Sequence, residues 1–292
     1  MATILLTGAT GKSSTATIAA LKGSGHKVIG LVRDAAKGKA LKALGVEVRV
    51  GDLERPRSLE TVFDGVDTAW LLAPPSPLAP YHTSNALWAA KQAGVRHVVR
   101  LSAVGAAHDA PTVNSRLHAL SDSEVAASGI PYTILKPHFF LQNLLFSAGT
   151  IAEEGVMYWA FGEAKFPAID VDDIGDATAR ILADPRPHAG KTYTLTGGEA
   201  LTMYQIASAI GKAIGKPVKY VPLSVAAMVE GLAKMGVGDY VEVAYRDYMA
   251  AYSQGWQSQV TDAVKRITGK EPRTIADFAR RYASAFSSNV AQ

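Results

Sequence analysis

The sequence predicts an α/β protein whose parallel sheet is covered by helices on both faces. In the first half of the chain, short apolar segments alternate strictly with helical segments, as in a sheet built from β-α units. A glycine-spaced turn, Gly8-Ala9-Thr10-Gly11, stands directly between the first strand and the first helix. The alternation ends at Pro137, and helices dominate the remainder. Together these observations indicate a Rossmann-type doubly wound sheet with a smaller, mainly helical C-terminal substrate domain.

Each predicted strand before Pro137 is a short run of apolar and β-branched residues. The strands are placed at residues 3–7, 27–32, 46–50, 68–72, 98–101 and 132–135. The helices between and after them are placed at residues 13–21, 37–44, 58–63, 81–93 and 114–128. We expect ligands at the carboxyl ends of these strands, because the binding crevice of an open parallel sheet lies at that edge.

After Pro137 the pattern is irregular. Helices are predicted at residues 139–146, 172–182, 202–214, 224–234, 239–255, 260–268 and 274–286, with strands at 156–159, 166–169, 192–195 and 218–221. Asp172 and Asp173 are expected to cap the helix that they begin. We assign residues 1–136, with 170–197 returning to them, to the Rossmann domain. Residues 137–169 and 198–292 form the predicted substrate domain, which should lie over the carboxyl edge of the sheet.

Composition excludes several classes of protein. The chain has 292 residues and no cysteine, so disulfides, thiolate metal sites and sulfur nucleophiles are ruled out. The net charge of +4 is spread along the chain without a basic, aromatic-rich run, so nucleic-acid binding is not expected. No apolar stretch is long enough to span a membrane, and a strand begins by residue 3. We therefore expect no membrane segment or signal peptide, a cytoplasmic location and a monomer or homodimer.

The turn after the first strand predicts a dinucleotide site. Glycine lets the backbone approach a diphosphate closely, and the free N–H groups of the first helical turn bind anions. The residues expected to contact the cofactor here are Thr7, Gly8, Thr10, Gly11, Lys12 and Ser13.

Two other interpretations of the turn are disfavoured. A triphosphate-binding loop needs a glycine five positions before Gly11, and that position is Leu6, inside the strand. The turn could also be a plain connection, but its place at a strand–helix junction in a β-α chain favours the anion site. Ser14 stands where a third glycine normally allows close packing between helix and strand. We expect this serine to reduce that closeness without removing the anion site.

Several motifs in order carry a resemblance to a known family. They are Thr7-Gly8-Ala9-Thr10-Gly11, Val32-Arg33-Asp34, Gly51-Asp52-Leu53, the run from Leu135 to Leu144, Ile169-Asp170-Val171-Asp172-Asp173-Ile174, and the run from Thr268 to Thr274. Together they resemble the NmrA-like branch of the atypical short-chain dehydrogenases/reductases over nearly the whole chain. That branch includes NAD(P)H:quinone reductases, triphenylmethane-dye reductases, flavin-free azoreductases and non-catalytic redox-sensing regulators.

Arg33 indicates NADP rather than NAD. It ends the second strand, where an acidic residue would bind the ribose of NAD, and a guanidinium there can instead grip a 2′-phosphate. Lys37 could assist. Asp34 leaves the alternative of a ribose-binding acid open, and a solvated arginine without a ligand is a further alternative. The family resemblance assigns the arginine to NADP.

Four further cofactor contacts follow from the resemblance and from strand ends. Asp52 and Leu53 follow the third strand and should flank the adenine, although an aspartate there is also a common turn residue. Ala73 and Pro74 follow the fourth strand and should border the nicotinamide ribose.

The catalytic pair of ordinary short-chain dehydrogenases is missing. They use Tyr-x-x-x-Lys on the helix before the sixth strand, where the lysine lowers the pKa of the tyrosine. The one such spacing here, Tyr132 to Lys136, falls in a strand, where the two side chains are about 13 Å apart and cannot act together. On the expected helix the corresponding positions are His118 and Asp122, and Ser102 follows the fifth strand.

This substitution limits the chemistry. Reducing a ketone generates an alkoxide and needs a positioned acid, whereas a quinone, an azo bond or a cationic dye carbon accepts hydride without one. We expect an NADPH-dependent, flavin-free reductase of such planar acceptors, with a redox-sensing regulator as the alternative. Sugar epimerases are disfavoured because they need the tyrosine. His118 could donate a proton near neutral pH, or could be a half-buried histidine without a catalytic role.

Residues after the sixth strand should form the substrate wall. Pro137 is expected beside the nicotinamide, and Phe139 and Phe140 could stack a flat substrate with Asn143 as a polar handle. Part of this set is expected to be core packing only. Trp256 is a further substrate contact and, with Trp159, a candidate for the lid.

Overall fold

The computed structural model describes residues 1–287, and a seven-stranded parallel sheet lies at its centre. The strands of the protein are β1 (Thr3–Leu6), β2 (Lys27–Val32), β3 (Glu47–Val50), β4 (Thr68–Leu71), β5 (His97–Leu101), β6 (Tyr132–Pro137), β7 (Val156–Trp159), β8 (Lys191–Leu195) and β9 (Lys219–Pro222). The order in the large sheet is β3-β2-β1-β4-β5-β6-β8, and β7 pairs with β9 in a separate parallel sheet. The order reverses between β1 and β4, which places a ligand crevice at their carboxyl ends.

The helices cover both faces of this sheet and form the second part of the molecule. They are α1 (Lys12–Leu21), α2 (Lys39–Ala43), α3 (Ala79–Gln92), α4 (Val113–Ala127), α5 (Ala148–Glu154), α6 (Val171–Ala183), α7 (Met203–Ile214), α8 (Val225–Lys234), α9 (Asp239–Ser253), α10 (Ala263–Thr268), α11 (Ile275–Arg281) and α12 (Ala283–Ser287). Short 3-10 turns lie at Ala35–Gly38, Pro56–Leu59, Leu141–Ser147 and Arg186–His188.

Alternate residues of each strand supply the two faces of the sheet. Ile4 and Leu6 pack into the core that α1, α6 and α10 cover, whereas Leu5 packs into the core under α3. All three side chains have no exposed surface. A strand buried on both faces needs a continuous apolar run, which explains the sequence Ile-Leu-Leu after Thr3.

Helices α1 and α6 pack closely because α6 has a glycine at the contact. A Cβ atom added to Gly175 of α6 would lie 2.6 Å from the carbonyl carbon of Ala16 on α1, which no side chain could tolerate. Ser14 is fully buried instead, where its Oγ donates to the carbonyl of Thr7 and accepts from the indole nitrogen of Trp70. The serine therefore links α1 to β1 and β4 by hydrogen bonds. The tight packing of α1 is against α6.

A second hydrophobic core lies outside the sheet and is rich in aromatic rings. Trp159, Phe161, Phe166 and Tyr252 pack together there with centroid distances of 5.0 to 6.0 Å between Phe161, Phe166 and Tyr252. Segments from α5, α7, α9, α11 and α12 contribute to this core. The predicted boundaries between the two domains stay a prediction, and residues 288–292 of the second lie outside the described residues.

The fold class is confirmed, but some local predictions were wrong. Residues 166–169 form no strand, because Phe166 and Ile169 make only isolated bridges. Asp170 caps α6 in place of Asp172 and Asp173, since its carboxylate accepts from the amide of Asp172. The predicted helix at 58–63 is the 3-10 turn at Pro56–Leu59, and α10 begins at Ala263 rather than at residue 260.

No helix within residues 1–287 combines the length and the apolar character needed to cross a bilayer.

Candidate active site

The turn between β1 and α1 forms a backbone cradle. Gly8 has a φ of +57°, and a Cβ atom there would lie 3.0 Å from Leu72 Cδ2. The amide of Gly11 donates to the carbonyl of Gly8 at 2.8 Å, and α1 begins at Lys12 without a side-chain cap or an acidic residue in its first turn. The N–H groups that open α1 are therefore left for an anionic ligand.

The buried side chains of this turn fix its position. The hydroxyl of Thr7 accepts from the amide of Leu72 at 2.7 Å and lies 2.9 Å from its carbonyl, which ties β1 to the segment after β4. Ser13 is also buried, and Thr10 and Lys12 are exposed. Of the predicted contacts on this turn, the two glycines and the helix amides thus have the geometry of an anion site, and Thr7 holds its frame.

The end of β2 leaves a cation available. Asp34 caps the 3-10 turn at Ala35–Gly38, with its Oδ1 accepting from the amide of Ala36 at 2.9 Å. Arg33 and Lys37 are exposed, and neither pairs with a carboxylate among the described residues. This arrangement favours Arg33 as a ligand for a phosphate group over Asp34 as a ligand for a ribose.

The segment after β3 is held in place by its own turn and by α3. Asp52 accepts from the amide of Glu54 at 3.0 Å, and Ser58 bonds to the Asp52 backbone. The side-chain amide of Asn85 on α3 donates to the carbonyl of Leu53 at 2.7 Å. Asp52 and Leu53 therefore lie at the carboxyl edge of the sheet, as do Ala73 and Pro74, which follow β4 and are partly buried and exposed, respectively.

A cluster of polar side chains lies between α4 and the ends of β5 and β6. It comprises Arg100, Ser102, His118, Asp122 and Lys136, and we call it the α4 cluster. Asp122 is its centre: Ser102 donates to Oδ2 at 2.7 Å, Arg100 Nε lies 3.1 Å from Oδ1 and Lys136 Nζ lies 3.4 Å from Oδ2. The contact between Arg100 and Asp122 is an ion pair without an aligned hydrogen bond.

Arg100 has almost no exposed surface, at 1%, and all of its nitrogens face protein groups. Nη1 donates to the carbonyl of Leu101 at 2.8 Å, and Nη2 lies 3.1 Å from Nδ1 of His118. A guanidinium has donors only, so Nδ1 of His118 accepts and the imidazole carries its proton on Nε2.

The expectation that His118 has a pKa suited to neutral pH was wrong. Burial, and after it the positive charges of Arg100 and Lys136, lowers the pKa of His118 to about 3. At neutral pH the ring is uncharged, so it can donate a hydrogen bond but does not act as an imidazolium acid. The roles of His118 and Ser102 in catalysis stay predictions.

The Tyr-x-x-x-Lys spacing lies in β6, where Tyr132 and Lys136 are at opposite ends of the strand. Lys136 joins the α4 cluster instead and donates to the carbonyl of Ala106 at 2.9 Å.

The two phenylalanines that follow β6 pack against different hydrophobic cores. Phe139 makes edge contacts with Trp159, Phe161 and Phe166, with centroids 5.5 to 5.6 Å apart, so it belongs to the second core. Phe140 packs partly buried against the core beside α1.

Two polar groups lie at or just after the end of β6, namely the carbonyl of Pro137 and the side-chain amide of Asn143. Pro137 is buried, and its carbonyl accepts from the amide of Val104 at 3.0 Å. The side-chain amide of Asn143 has no hydrogen-bond partner among the described residues. Asn143 therefore retains the capacity of a polar handle, and its contact with a substrate stays a prediction.

Trp256 lies over the loop that follows β5. A Cβ atom on Gly105, whose φ is +66°, would lie 2.2 Å from the Trp256 ring, so only glycine allows this contact. The Gln257 carbonyl next to the ring lies 3.0 Å from Nε2 of His138, and His138 stacks on Tyr252 at 5.0 Å. The segment that carries Trp256 is thus tied to the end of β6.

Trp159 is not a lid residue. It is 1% exposed, and its indole nitrogen donates to Ser147 at 3.0 Å inside the second core. A different contact joins α1 to the turn after β6: Lys12 Nζ lies 5.8 Å from the centre of the exposed Phe146 ring.

A separate cavity of about 300 Å³ lies between the loop after β8 and residues 271–275. None of the predicted site residues lines it. The one guanidinium on its wall, Arg273, is held by Asp173 and Asp176 and is not available to a ligand. We do not assign the site to this cavity.

Sequence reasoning missed Arg100, His138 and Gly105. Arg100 carries a visible signal, since a charged residue interrupts the apolar strand His-Val-Val-Arg-Leu two positions before Ser102 and on the same strand face. A charge at a buried strand position needs a partner, and Asp122 was already singled out on the facing helix.

Comparison with known proteins gives the family. A sequence model of the NmrA-like family matches residues 1–277. The chain belongs to the NmrA-like family. The resemblance inferred from the motifs is therefore confirmed.

Relatives in this family include enzymes. The NAD(P)H azoreductase of Xenophilus azovorans is 35% identical over 283 residues, which are 97% of this chain and 99% of that protein. The structure of the NADPH-dependent quinone oxidoreductase QOR2 from Escherichia coli, complexed with NADPH, has a TM-score of 0.85 at 29% identity and covers 95% of this chain and 99% of that one. The Citrobacter sp. triphenylmethane reductase complexed with NADP(H) has a TM-score of 0.83 at 25% identity, with coverage of 96% and 99%.

Proposed function

We propose that the protein is an NADPH-dependent, flavin-free oxidoreductase that passes hydride directly to a planar conjugated acceptor such as an azo compound, a quinone or a triphenylmethane dye. The observation that carries this proposal is an uncapped, glycine-lined turn at the same edge of the sheet as a cluster in which His118 and Asp122 replace the tyrosine and lysine of ordinary short-chain dehydrogenases. The azo- and quinone-reducing relatives support an enzyme of this class.

The residues present fit NADP. An uncapped helix of ten residues and two glycines whose Cβ atoms would lie 3.0 to 3.2 Å from neighbouring atoms suit a diphosphate. Arg33 and Lys37 would hold the 2′-phosphate. Asp52 and Leu53 would flank the adenine. The NADPH and NADP(H) complexes of structural relatives support this assignment. The residues that would border the nicotinamide ribose are Ala73, Pro74 and Pro137.

Bound NADPH supplies the hydride. The chain contributes orientation, because the cradle and the strand ends would hold the dinucleotide along one edge of the sheet. Asn143, Phe140 and Trp256 would hold the flat acceptor against that edge. Strong acid catalysis is not required, since the acceptor product is a stabilised anion or a neutral molecule that solvent can protonate.

Steady-state NADPH oxidation tests this proposal. Flavin-free protein should turn over NADPH with at least one member of a panel of quinones, azo dyes and triphenylmethane dyes, and NADH should serve less well. Tight NADPH binding without turnover on any acceptor would contradict it.

The second candidate is a redox-sensing regulator that binds the dinucleotide without turnover. The missing Tyr-Lys pair is compatible with it, because a regulator needs no catalytic acid. A partner that binds in the presence of NADP⁺ but not NADPH, with no oxidation of NADPH, would support this alternative. For either function we expect a cytoplasmic monomer or homodimer without nucleic-acid contacts.

A further inference from the structure

The pairing of Arg100 with His118 fixes where the imidazole proton lies. Nη2 of Arg100 approaches Nδ1 of His118 at 3.1 Å, and a guanidinium can only donate. The Nε2 atom of His118 has no hydrogen-bond partner among residues 1–287, and the residue is partly exposed while Arg100, Ser102 and Asp122 are buried. The imidazole therefore presents one N–H donor at the edge where β5 ends.

The charges that face this imidazole come from three elements. Arg100 on β5 and Lys136 on β6 are cations, and Asp122 on α4 itself is the anion that faces both. Two cations and one carboxylate leave the α4 cluster itself with a net charge of +1, and Glu124 on the same helix adds a negative charge that acts on Arg100. From α9, Tyr248 reaches the same helix at Ser115, and burial raises the pKa of Tyr248, so it adds no charge at neutral pH.

We propose that Arg100 is a positioning residue that holds the proton of His118 on Nε2, and that this donor selects acceptors which become anions when they receive hydride. Quinones and azo compounds belong to this class. Triphenylmethane dyes begin as cations and become neutral, so the donor does not assist them. The selection of acceptors rests on the proposed function, whereas the role of Arg100 in fixing the tautomer does not.

With an azo compound, the first step is the transfer of hydride to one nitrogen of the N=N bond. NADPH, when bound, would supply the hydride and become NADP⁺, and a new N–H bond would form on the acceptor. The π electrons of the N=N bond move to the other nitrogen, which becomes an anion. His118 donates a hydrogen bond to this developing charge and keeps its proton, and water supplies the proton that completes the hydrazine. A quinone leaves the charge on oxygen in the same way.

The tautomer can be measured without turnover. Long-range ¹⁵N–¹H spectra of the full chain with NADP⁺ bound, assigned by loss of signals in His118→Gln, should show His118 protonated at Nε2 only and unchanged between pH 5 and 8. In the Arg100→Gln/Asp122→Asn variant, which removes both buried charges together, the signal should become a mixture of the two neutral tautomers. A wild-type His118 that is protonated at Nδ1, or that titrates within this range, would overturn the role of Arg100.

The selection of acceptors is tested by kinetics on the same proteins. His118→Leu should lower kcat for a quinone and an azo dye by about 100-fold, the size typical for one lost preorganised donor. His118→Gln retains an N–H near Nε2 and should stay within about tenfold of wild type, and His118→Leu should lower the ratio of quinone turnover to cationic-dye turnover. His108→Gln is the control, because His108 is exposed and bonds Ser123 on α4, the helix that carries His118.

The outcomes separate the two proposals. An equal fall of all three substrates in His118→Leu would overturn the selection of acceptors while leaving the reductase function intact. If wild-type protein oxidises NADPH with none of the acceptors, the proposed function and the selection both fail, and the NMR spectra still decide the role of Arg100.

Discussion

The turn that opens α1 and the α4 cluster lie at the same edge of the sheet but are built in opposite ways. The turn uses backbone groups of consecutive residues, and its special requirement is glycine where φ is positive or space is short. The cluster uses buried charged side chains from β5, β6 and α4. A backbone site tolerates most side-chain changes, whereas a buried charge network depends on every member being present. The predictions that follow test this difference.

The largest effect is expected from breaking the α4 cluster. Asp122→Ala leaves Arg100, which is 1% exposed, without its carboxylate, and an uncompensated buried charge lowers the free energy of unfolding by about 3–5 kcal/mol. Urea denaturation measures the loss. Asp262→Ala, which breaks an exposed pair with Arg266 on α10, is the control and should have no measurable effect. Equal stability of the two variants would show that the α4 cluster is not a tightly coupled network.

The next effect is expected at the turn. Gly8→Ala places a side chain at a φ of +57° and 3.0 Å from Leu72, so it should lower stability by about 1–2 kcal/mol and weaken binding of NADPH and NADH alike by about tenfold. Gly25→Ala is the matched control, because Gly25 has a φ of +76° and no atom within 4 Å of a Cβ. Calorimetric titration of both cofactors should show weaker binding in the Gly8 variant only. Unchanged affinity in both would mean that the close approach at Gly8 is irrelevant to the ligand.

A smaller and more selective effect is expected at Arg33. Loss of charge-assisted hydrogen bonds of about 1.5 kcal/mol predicts roughly tenfold weaker NADPH binding in Arg33→Ala, with NADH binding unchanged. Arg186→Ala, an exposed arginine before β8, serves as the control. A parallel loss for NADH would move Arg33 away from the 2′-phosphate.

The smallest effect concerns the pH dependence of stability. Burial lowers the pKa of His138 from 6.5 to about 4. Between these two pH values the imidazole is protonated in the unfolded chain but not in the folded chain. Stability from this group is present above pH 6.5 and is lost as pH falls from 6.5 towards 4, by about 1.4 kcal/mol per pH unit. His138→Gln should therefore flatten the slope of unfolding free energy between pH 6 and 5 by up to that amount.

The control for this measurement is His108→Gln, which makes the same substitution at an exposed histidine. An identical slope in the wild type and in His138→Gln would contradict the low pKa of His138.

The comparison also explains what the sequence could and could not predict. The cradle was predictable because strand, turn and helix are adjacent in the chain, so one short segment contains the whole feature. The network was not, because Arg100, His118 and Lys136 meet only after β5, β6 and α4 have packed. The expected pKa of His118 was wrong for the same reason: burial and two neighbouring cations, which no local pattern contains, lower it.

Errors in the second part of the molecule have a similar origin. Residues 166–169 have strand-forming composition, but Phe166 is used by the aromatic core, and its backbone finds only a single bridge partner at Leu201. Trp159 is likewise fixed by that core and not by the cleft. Propensity identifies apolar segments, and tertiary packing decides which of them pair as strands.

The central claim is that the amides opening α1 hold the diphosphate of NADP. A crystal structure of the protein with NADP⁺ tests it most directly. The account predicts the diphosphate within hydrogen-bond distance of the amides of Lys12 and Ser13, with the 2′-phosphate beside Arg33. A dinucleotide bound elsewhere, or none at millimolar NADP⁺, would contradict it.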